Sequence, residues 1–506
     1  MNLFGGKSNI KRVQAVVRTV RVADPKGPEP RPSAVRQHSQ TTQTHRATAS
    51  PAGESPSTPR SSPGTPSVDT ADSSRLRAPK RRARRTSPAK QDRVNFGSDG
   101  DEDEEDTDDN HARKKQKLAG SIDSKRQLRQ KQAFSEEDGG VFDMIHAANI
   151  SFVGKRNKNS EPVTEHVTVK LQYPSSSQQE SYNLVFGRDL IDPCKEILAI
   201  AKIVTEVYLT PDQAIAFDEP NSGILRQLVK ARNILKKEPT NPDLLENFKS
   251  AVDTYNKSIT NLIKEGAITK NLDNRHHLPL NMIRCMLRQV YDRAVSPRVD
   301  LLKQYENGTD NVYGELLPNF ISEALSKTGL KSDQVFVDLG SGVGNVVLQA
   351  ALEFGCESWG CEMMKNATDL ADAQASEFNA RCRLWGIQPG EVHLERGDFL
   401  ESQAIHEAMK KADVILVNNQ AFTPDLNQKL VQLFLDLKDG CKIVSLKSFV
   451  PDGYKITSRN LGNPVNLLSV QKGEYYSESV SWTDAGGTYF IATKDEKRLK
   501  KWADQH

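Results

Sequence analysis

A single run of eleven residues, from Val335 to Asn345, constrains the fold of this chain more than any other feature. It reads Val-Phe-Val-Asp-Leu-Gly-Ser-Gly-Val-Gly-Asn, and an apolar stretch from Val346 to Ala351 follows it. This pattern predicts a buried parallel strand, a tight turn and the first turns of a helix. Because glycine has no Cβ and accepts positive φ, such a turn lets a nucleotide approach the backbone.

The spacing of the glycines distinguishes between two classes of nucleotide ligand. A dinucleotide-binding turn has the pattern Gly-x-Gly-x-x-Gly, which points a helix N-terminus at a pyrophosphate. Here Asp338 precedes glycines at 340, 342 and 344. S-adenosylmethionine has no phosphate, but its ammonium needs a carboxylate, which Asp338 can supply directly or by fixing the turn. The pattern favours S-adenosylmethionine, with an ordinary strand-to-helix turn as the alternative.

Acidic residues stand at the ends of the next two predicted strands. The second strand ends at Glu362, 18 residues after Gly344, where a carboxylate accepts the ribose hydroxyls in nucleotide-binding sheets. The third strand, 392–398, ends at Asp398 and is followed by Phe399. We expect Asp398 to accept the adenine amine and Phe399 to stack on the ring. The alternatives are an exposed acid at 362, and a helix N-cap beside a core phenylalanine.

Two asparagines, Asn418 and Asn419, follow the fourth predicted strand. Ligands bind at the carboxyl ends of strands in open α/β sheets, although asparagines before a proline also form turns. A fifth strand is predicted at 441–446, and amphipathic helices separate the strands. The alternation predicts a doubly wound parallel sheet, and the roughly 200 residues after Leu301 suit one such domain.

The cysteines and histidines indicate no metal site. The six cysteines are scattered without a Cys-x-x-Cys pair, and the ten histidines form no cluster. Free cysteines in this number are typical of a reducing compartment. The first 20 residues lack the apolar core of a signal peptide, and no apolar run reaches the ~18 residues that a membrane span needs. We therefore expect neither a metal nor membrane insertion.

The composition changes near residue 135. Residues 1–135 are rich in Pro, Ser, Thr, Ala and Arg, which predicts a disordered extension. The extension holds two basic clusters, 80–85 and 113–117, around an acidic run, 99–109, that has nine acids in eleven positions. Basic clusters indicate nuclear import or nucleic-acid binding, with a solvated linker as the alternative. Because the net charge is only +3, any affinity for DNA depends on local clusters.

The middle of the chain has fewer clear secondary-structure patterns. Four further basic residues carry the positive charge of the extension toward it, namely Lys125, Arg126, Arg129 and Lys131. One stretch, 163–171, alternates like a strand. Helical spacing occurs in three stretches, 222–237, 242–264 and 280–294. We divide the remaining chain into a mainly helical part, 136–300, and an S-adenosylmethionine-binding core, 301–500.

Six short motifs occur in a fixed order, and together they resemble the disruptor-of-telomeric-silencing family. The motifs are Tyr313-Gly-Glu315, Val337-Asp-Leu-Gly-Ser-Gly-Val-Gly344, Glu395-Arg-Gly-Asp-Phe-Leu400, Val417-Asn-Asn419 with Phe422, Ser458-Arg-Asn-Leu461 and Val480-Ser-Trp-Thr483. Members of this family are histone lysine methyltransferases without a SET domain that modify lysine-79 of histone H3. The resemblance covers roughly residues 140–500, and the long polar extension is similar to that of fungal members.

The resemblance implies a fold, an activity and partners. The implied fold is a mostly parallel, seven-stranded Rossmann-like sheet preceded by a mainly helical part. The implied activity is methyl transfer from S-adenosyl-L-methionine to lysine-79 of histone H3 in the nucleus, with roles in silencing and in the DNA-damage response. The implied partner is the nucleosome, whose DNA would meet the basic clusters, with ubiquitylated histone H2B and the histone H4 tail as further candidates. We expect a monomer.

The resemblance also implies roles for individual residues. The residues implied to bind the cofactor are Tyr313, Gly314, Glu315, Asp338, Gly340, Ser341, Gly342, Gly344, Asn345, Glu362, Asp398, Phe399 and Asn418. The residues implied to surround the methyl-transfer centre and to wall the channel for the target lysine are Asn418, Phe422, Trp482 and Tyr489. In one departure, Gln420 stands where the family usually has an aromatic residue, so position 420 is not assigned to a channel wall.

An apolar channel suits the chemistry of a lysine nucleophile. The amine must be neutral to attack, and deprotonating a free lysine costs about 4.6 kcal/mol at pH 7. Burial in an apolar tunnel lowers a lysine pKa by up to ~3–5 units, which offsets that cost without a dedicated general base.

Two functions from other classes remain as alternatives. A nucleic-acid adenine methyltransferase carries Asn/Asp-Pro-Pro-aromatic after the fourth strand, whereas this chain has Asn418-Asn-Gln-Ala-Phe422. A non-catalytic chromatin adaptor with the same fold would not need the intact Asp338, Gly342 and Glu362. Binding of S-adenosylmethionine would distinguish the adaptor from an enzyme.

Overall fold

A computed structural model describes five stretches of the chain: 122–135, 142–150, 167–186, 191–303 and 313–504. The basic clusters and the acidic run of the predicted extension lie outside these residues. None of the helices in the five stretches is long and apolar enough to cross a membrane.

A mainly helical part with one β-hairpin precedes the sheet. Its helices are α1 (Ala147–Ile150), α2 (Pro193–Tyr208), α3 (Pro211–Asp218), α4 (Ile224–Leu235), α5 (Pro242–Lys264), α6 (Ala267–Asp273) and α7 (Leu280–Ala294). The hairpin consists of β1 (Thr168–Leu171) and β2 (Glu180–Asn183), which pair antiparallel. Two 3-10 helices flank this part, at Lys131–Phe134 and Ser296–Lys303. Helices α4, α5 and α7 confirm the three stretches that were predicted from helical spacing.

Local sequence explains where several of these helices begin. Asp192 caps α2 by accepting a hydrogen bond from the backbone of Lys195, and a proline occupies the first turn. Thr210 and Gln213 cap α3 reciprocally, again before a proline. A side-chain acceptor satisfies an amide that has no partner within the helix, and proline lacks an amide to satisfy.

The second part is a seven-stranded sheet covered by helices. Its strands are β3 (Val335–Leu339), β4 (Glu357–Glu362), β5 (Val392–Arg396), β6 (Val414–Val417), β7 (Lys442–Ser445), β8 (Leu468–Tyr475) and β9 (Gly487–Lys494). Its helices are α8 (Pro318–Thr328), α9 (Asn345–Phe354), α10 (Lys365–Trp385), α11 (Gln403–Lys411), α12 (Pro424–Leu433) and α13 (Lys497–Ala503). Short 3-10 helices follow α12 and precede β8, at Phe434–Asp436 and Pro464–Leu467.

The strand order is β5-β4-β3-β6-β7-β9-β8. The first five strands are parallel, and β9 and β8 are added antiparallel at one edge. Alternate residues of β3 enter different cores, since Val337 and Leu339 pack with α11 and α12, whereas Phe336 packs with α8 and α9. The predicted doubly wound, mostly parallel fold is confirmed.

The position of β3 determines where a ligand can enter. The chain passes from β3 to β4 on one side and continues at β6 on the other side, so the strand order reverses at β3. In open α/β sheets the crevice at such a switch point, outside the carboxyl ends of the strands, is the place where ligands bind.

A buried cluster of charges joins the helical part to the sheet. Arg293 of α7 donates to Glu180 of β2 at 2.8 Å and also contacts Glu196 of α2. Arg381 of α10 pairs with Glu180 and with Glu377, and the side chains of both arginines are fully buried. Burial alone would raise the pKa of the Glu180 carboxyl, but the two guanidinium groups hold it well below its usual range. Removing one partner of such a pair costs about 3–5 kcal/mol.

The structure corrects the boundary of the predicted extension. Residues 122–135 pack on the folded part, where Leu128 is 1% exposed and Arg129 pairs with Asp273 at 2.6 Å. Arg126 donates to the backbone carbonyls of Leu352 and Glu353 at the end of α9. Burial lowers the pKa of Arg126 to about 10, and its side chain is not free to meet DNA. The composition averaged over 135 residues does not reveal this packed segment, because only one leucine and two arginines anchor it.

We expect Leu128→Ala to destabilise the protein by about 2–5 kcal/mol, since it removes a fully buried side chain. The matched control is Ile122→Ala in the same segment, where the side chain is 60% exposed and the expected change is within about 0.5 kcal/mol. Urea denaturation of the full chain measures both. Equal effects of the two substitutions would mean that the segment does not pack as described.

Candidate active site

A cavity of about 380 Å³ opens at the carboxyl ends of β3, β4, β5 and β6. This volume is in the range of small-molecule sites. Thirteen residues of the predicted site line it, namely Tyr313, Gly314, Glu315, Asp338, Gly340, Ser341, Gly342, Asn345, Glu362, Asp398, Phe399, Asn418 and Phe422. Gly344, Trp482 and Tyr489 do not line it.

The turn after β3 requires glycine for its backbone and for the space around it. Gly340, Gly342 and Gly344 all have positive φ, at 87°, 56° and 86°. A Cβ added at Gly342 would lie 2.9 Å from the Tyr313 ring, whereas one at Gly344 would press on Leu394 of β5. Gly342 therefore lets the ring of Tyr313 close against the turn, and Gly344 serves the packing of α9 on the sheet.

Glu362, at the end of β4, is held in place by two backbone groups. One carboxylate oxygen accepts from the Gly342 amide at 3.0 Å, and the other accepts from the Met364 amide at 2.7 Å. Each oxygen has a second lone pair, so the carboxylate can still accept two hydroxyl groups. This geometry fits the ribose role that the sequence predicts for Glu362.

Asp338 is a buried acid that lacks a partner. Its side chain is 2% exposed, and no residue in the described ranges donates to its Oδ1 atom. Burial, and then the nearby charge of Glu362, raise the pKa of Asp338 to about 8. A buried polar atom without a hydrogen bond is costly, so the site favours a ligand that brings a positive charge or a donor to this carboxyl.

A second buried acid, Glu315, lies on the same cavity. The hydroxyl of Tyr313 donates to it, and so does the hydroxyl of Tyr291 on α7, at 3.1 Å. Burial raises the pKa of Glu315 to about 7, even though these hydrogen bonds act in the opposite direction. Asp338 and Glu315 are thus two buried acids of the lining that a cationic group of a ligand would stabilise.

Two aromatic rings also line the cavity, next to Asp398. Phe399 and Phe422 are stacked with their ring centroids 6.3 Å apart and their planes at 29°. The preceding residue, Asp398, accepts from the Leu400 amide at 2.8 Å through Oδ1. An acid beside aromatic rings suits adenine, the group that the sequence predicts here.

The two asparagines after β6 have different functions. Asn418 faces the cavity, donates to the Gly314 carbonyl at 3.1 Å, and has a buried Oδ1 atom for which the described residues provide no donor. Asn419 is 1% exposed and ties the β6 and β7 loops together. Its four hydrogen-bond partners, at 2.8–3.1 Å, are Asn427 Oδ1, the Lys447 carbonyl, and the amides of Leu446 and Lys447. The adjacent Gln420 is exposed.

Trp482 lies outside the cavity, against the loop that covers it. A Cβ at Gly314 would be 2.8 Å from the Trp482 ring, which is 40% exposed. The segments on either side pair with each other, since Ser481 donates to the Glu315 carbonyl and its Oγ accepts from the Glu315 amide, both at 2.9 Å. Residues 315–317 and 479–482 therefore form one unit.

The prediction that Tyr489 walls a channel is wrong. Tyr489 is 1% exposed and lies in the core, edge-on to Phe320 of α8 with ring centroids 5.2 Å apart. Its hydroxyl accepts from Lys327 at 2.8 Å. An aromatic residue in a strand is more often part of the core than part of a ligand channel. The alternation of side chains along β9 points Tyr489 toward α8.

Several lining residues were not predicted from the sequence. They are Leu302, Leu316, Val346, Cys361, Met363, Met364, Asn366, Ala367, Leu400, Leu416 and Leu426. Cys361 and Met363 flank Glu362, and the end of a predicted strand could have indicated them. Leu302 approaches from the 3-10 helix after α7, and no local pattern signals that approach.

The chain is similar to a set of fungal proteins that share one described activity. The model of the family "Histone methylation protein DOT1" matches residues 291–494. A "Histone-lysine N-methyltransferase, H3 lysine-79 specific" of Aspergillus fumigatus is 50% identical over 443 residues, which are 86% of each chain. A protein of the same description from Emericella nidulans is 52% identical and covers 75% of each chain. Another from Yarrowia lipolytica is 42% identical over 70% of this chain and 73% of the relative.

We expect Gly342→Ala to weaken binding of S-adenosylhomocysteine by at least about tenfold, ~1.4 kcal/mol, because the new Cβ displaces Tyr313. Gly453→Ala is the matched control, since Gly453 also has positive φ, at 71°, but a Cβ there meets nothing within 4 Å. Both substitutions cost about 1–2 kcal/mol of stability, so only the affinity distinguishes them. Calorimetric titration provides that affinity, and equal losses in both variants would contradict the role of Gly342.

We expect binding of S-adenosylhomocysteine to release protons. Asp338 and Glu315 are largely protonated in the free protein below their pKa values, about 8 and about 7, and the ligand ammonium favours their ionised forms. The affinity should therefore rise with pH between about 5.5 and 7.5, by up to about tenfold per unit for each proton released. Titration in buffers of different ionisation enthalpy counts the protons. Asp338→Asn should reduce the count by about one, and an affinity independent of pH would contradict this account.

Proposed function

This chain belongs to the family of the histone methylation protein DOT1, and we propose that it methylates lysine-79 of histone H3 in nucleosomes. The observation that carries the proposal is the meeting of Asp338, Glu362 and Asn418 at the ends of β3, β4 and β6, around one cavity. Each has an acceptor group available to a ligand. The family is one of S-adenosylmethionine-dependent enzymes, and these groups fit that cofactor.

We assign the cofactor-binding roles as follows. Asp338 and Glu315 hold the ammonium of the methionine group, because they are the two buried acids of the lining. Glu362 accepts the ribose hydroxyls, and its two backbone hydrogen bonds fix its position beforehand. Asp398 and Phe399 frame adenine. When bound, S-adenosylmethionine supplies a methyl group on a sulfonium, which an amine can displace in line.

Asn418 is the residue that we expect to position the target amine. Its amide nitrogen is engaged by the Gly314 carbonyl, which fixes the orientation of the side chain. The buried Oδ1 atom then faces the cavity and can accept an N–H of the lysine. Orientation of two reactants contributes much of the rate of a two-substrate reaction. Apolar neighbours such as Phe422 and Leu416, which line the same cavity, favour the neutral amine.

The wider setting is part of the proposal. We propose a nuclear enzyme with roles in silencing and in the DNA-damage response, which acts as a monomer. The basic clusters 80–85 and 113–117 would bind DNA, since neutralising each phosphate releases counterions. Ubiquitylated histone H2B and the histone H4 tail are further proposed partners. In this arrangement the helical part, 136–300, supports the cofactor loop of the core, 301–500.

A methyl-transfer assay with labelled S-adenosylmethionine tests the function. It compares reconstituted nucleosomes, free histone H3 and naked DNA, and peptide mass spectrometry locates the label. We expect label on lysine-79 of histone H3 in nucleosomes, and its loss in Gly342→Arg. Label on DNA would instead support an adenine methyltransferase. Cofactor binding without any label on these substrates would support the adaptor.

The two asparagines provide a sharper test of the site. Asn418→Ala should lower turnover on nucleosomes by at least about tenfold, roughly 1.4 kcal/mol in the barrier, with little change in melting temperature. Asn419→Ala should instead destabilise the fold by several kcal/mol, because each buried group left unsatisfied costs about 1–3 kcal/mol. Turnover and thermal melting of both variants provide the comparison. An unchanged turnover in Asn418→Ala would remove this residue from the reaction.

A further inference from the structure

A groove lined with lysines lies far from the cavity in sequence, between β1 and α5. Its volume is about 800 Å³, and its lining includes Lys170 of β1 together with Lys249, Lys257 and Lys264 of α5. The α5 lysines are eight and seven residues apart, about two helical turns in each case, so they share one face. Asp253 is the acidic residue of the lining. The groove therefore carries an excess of positive charge.

Three of these lysines are available to a partner. Lys170, Lys257 and Lys264 are exposed, and within the described ranges no carboxylate lies at ion-pair distance from any of them. Lys249 differs, since it pairs with Glu246 at 3.2 Å. Like charges held near one another on a rigid frame repel, and an anion that bridges them removes the repulsion.

A partner of this groove would be recognised by the lysine ammonium groups and not by pairing of a strand with the edge of β1. Asn256 of α5 donates to the Lys170 carbonyl at 2.7 Å and accepts from the Gln172 amide at 2.8 Å. These two bonds occupy backbone groups of β1 and of the residue after it, which an added strand would need. The occupant is therefore recognised by its negative charge, and it must be narrow enough to lie between a strand and a helix.

We propose that the acidic run of this same chain, 99–109, binds in the lysine groove. Its nine acids in eleven positions match the charge of the groove. Fully extended, the run spans roughly 36 Å, and the lysine face from Lys249 to Lys264 spans roughly 22 Å. The run is therefore long enough to contact all the α5 lysines of the groove.

The path of the chain allows this contact. Ile122 is thirteen residues after Asp109, and this linker spans up to roughly 45 Å. The linker joins the described part at Ile122, next to Asp123, which accepts from the Ser332 hydroxyl before β3 at 2.6 Å, and seven residues later Arg129 pairs with Asp273 at the end of α6. Asp273 is nine residues after Lys264, and residues 122–129 span at most roughly 25 Å, so a linker of this reach can run back from Ile122 to the Lys264 end of the groove.

The contact has a consequence for the basic cluster 113–117, which begins four residues after the acidic run. If the acidic run were not bound in the groove, it would pair with the basic cluster and compete with DNA phosphates for the lysine and arginine side chains of that cluster. Bound in the groove, the run is held by lysines on a rigid frame, and the cluster stays available. The groove therefore raises the affinity of the chain for DNA by holding the acidic run, and the groove itself does not contact DNA.

Zero-length carbodiimide cross-linking of the full chain tests the contact, and it does not depend on the proposed function. We expect acids of the run to join Lys170, Lys257 or Lys264 more often than three exposed control lysines, Lys202, Lys429 and Lys472, which do not line the groove. The preference should disappear at about 1 M salt, where the Debye length is ~3 Å. Equal joining of groove and control lysines, or no cross-links from the run, overturns the proposal.

A mutant cycle separates this contact from direct binding of DNA by the groove, and it rests on the proposed affinity of the basic clusters for DNA. The groove variant is K170Q/K257Q/K264Q, its control is K202Q/K429Q/K472Q, and the second background has the nine acids of the run changed to amides. We expect the groove variant to bind DNA several-fold more weakly than its control in the native background, and equally well in the amide background. Equal losses in both backgrounds assign the groove to DNA and overturn the proposal, as does no loss in either.

Discussion

The buried pairing of Arg293 and Arg381 with Glu180 is the interaction on which the two parts of the molecule depend. It joins β2, α7 and α10 at a point that water does not reach. Two residues before Arg293, Tyr291 donates to Glu315 in the cavity. Helix α7 therefore connects the charge cluster to the cofactor loop, and the geometry of the site rests on an ion network outside the sheet. A substitution in this network would disturb the cavity through α7, although no member of the network lines the cavity.

The cavity also shows that stability and function make opposite demands on the same groups. Asp338 and Glu315 are acids in places where a carboxylate is poorly solvated, and in the free protein burial favours their neutral forms. An apolar residue at either position would pack at less cost. Their presence is explained by a cationic ligand, which turns an unfavourable burial into a paired one. Perturbed acids that converge on a cavity are typical of functional sites for this reason.

Sequence patterns predicted the parts of the site that are local in the chain. The turn after β3 and Glu362 at the end of β4 follow from strand, glycine and strand-end signals, and each lies where the sequence predicts. Sequence patterns did not predict the position of residues whose environment depends on contacts with segments distant in the chain. Tyr489 faces α8 because of the alternation of β9, and Asn419 is a scaffold residue because it bonds to the loop after β7. Residues 122–135 fold because Leu128 bonds to Gln388 and Arg126 to Glu353, partners more than 140 residues away.

The pairing of residues 315–317 with 479–482 has a thermodynamic consequence. One strand of this pair carries Glu315, which faces the cofactor cavity, and the other carries Trp482, which lies at the surface beside Gly314. Ordering either strand orders the other, so occupancy on one side changes the free energy of binding on the other. Linkage requires this effect to be reciprocal. Two ligands that contact Glu315 and Trp482 would therefore bind with coupled free energies, with the coupling carried by a pair of short backbone segments rather than by direct contact.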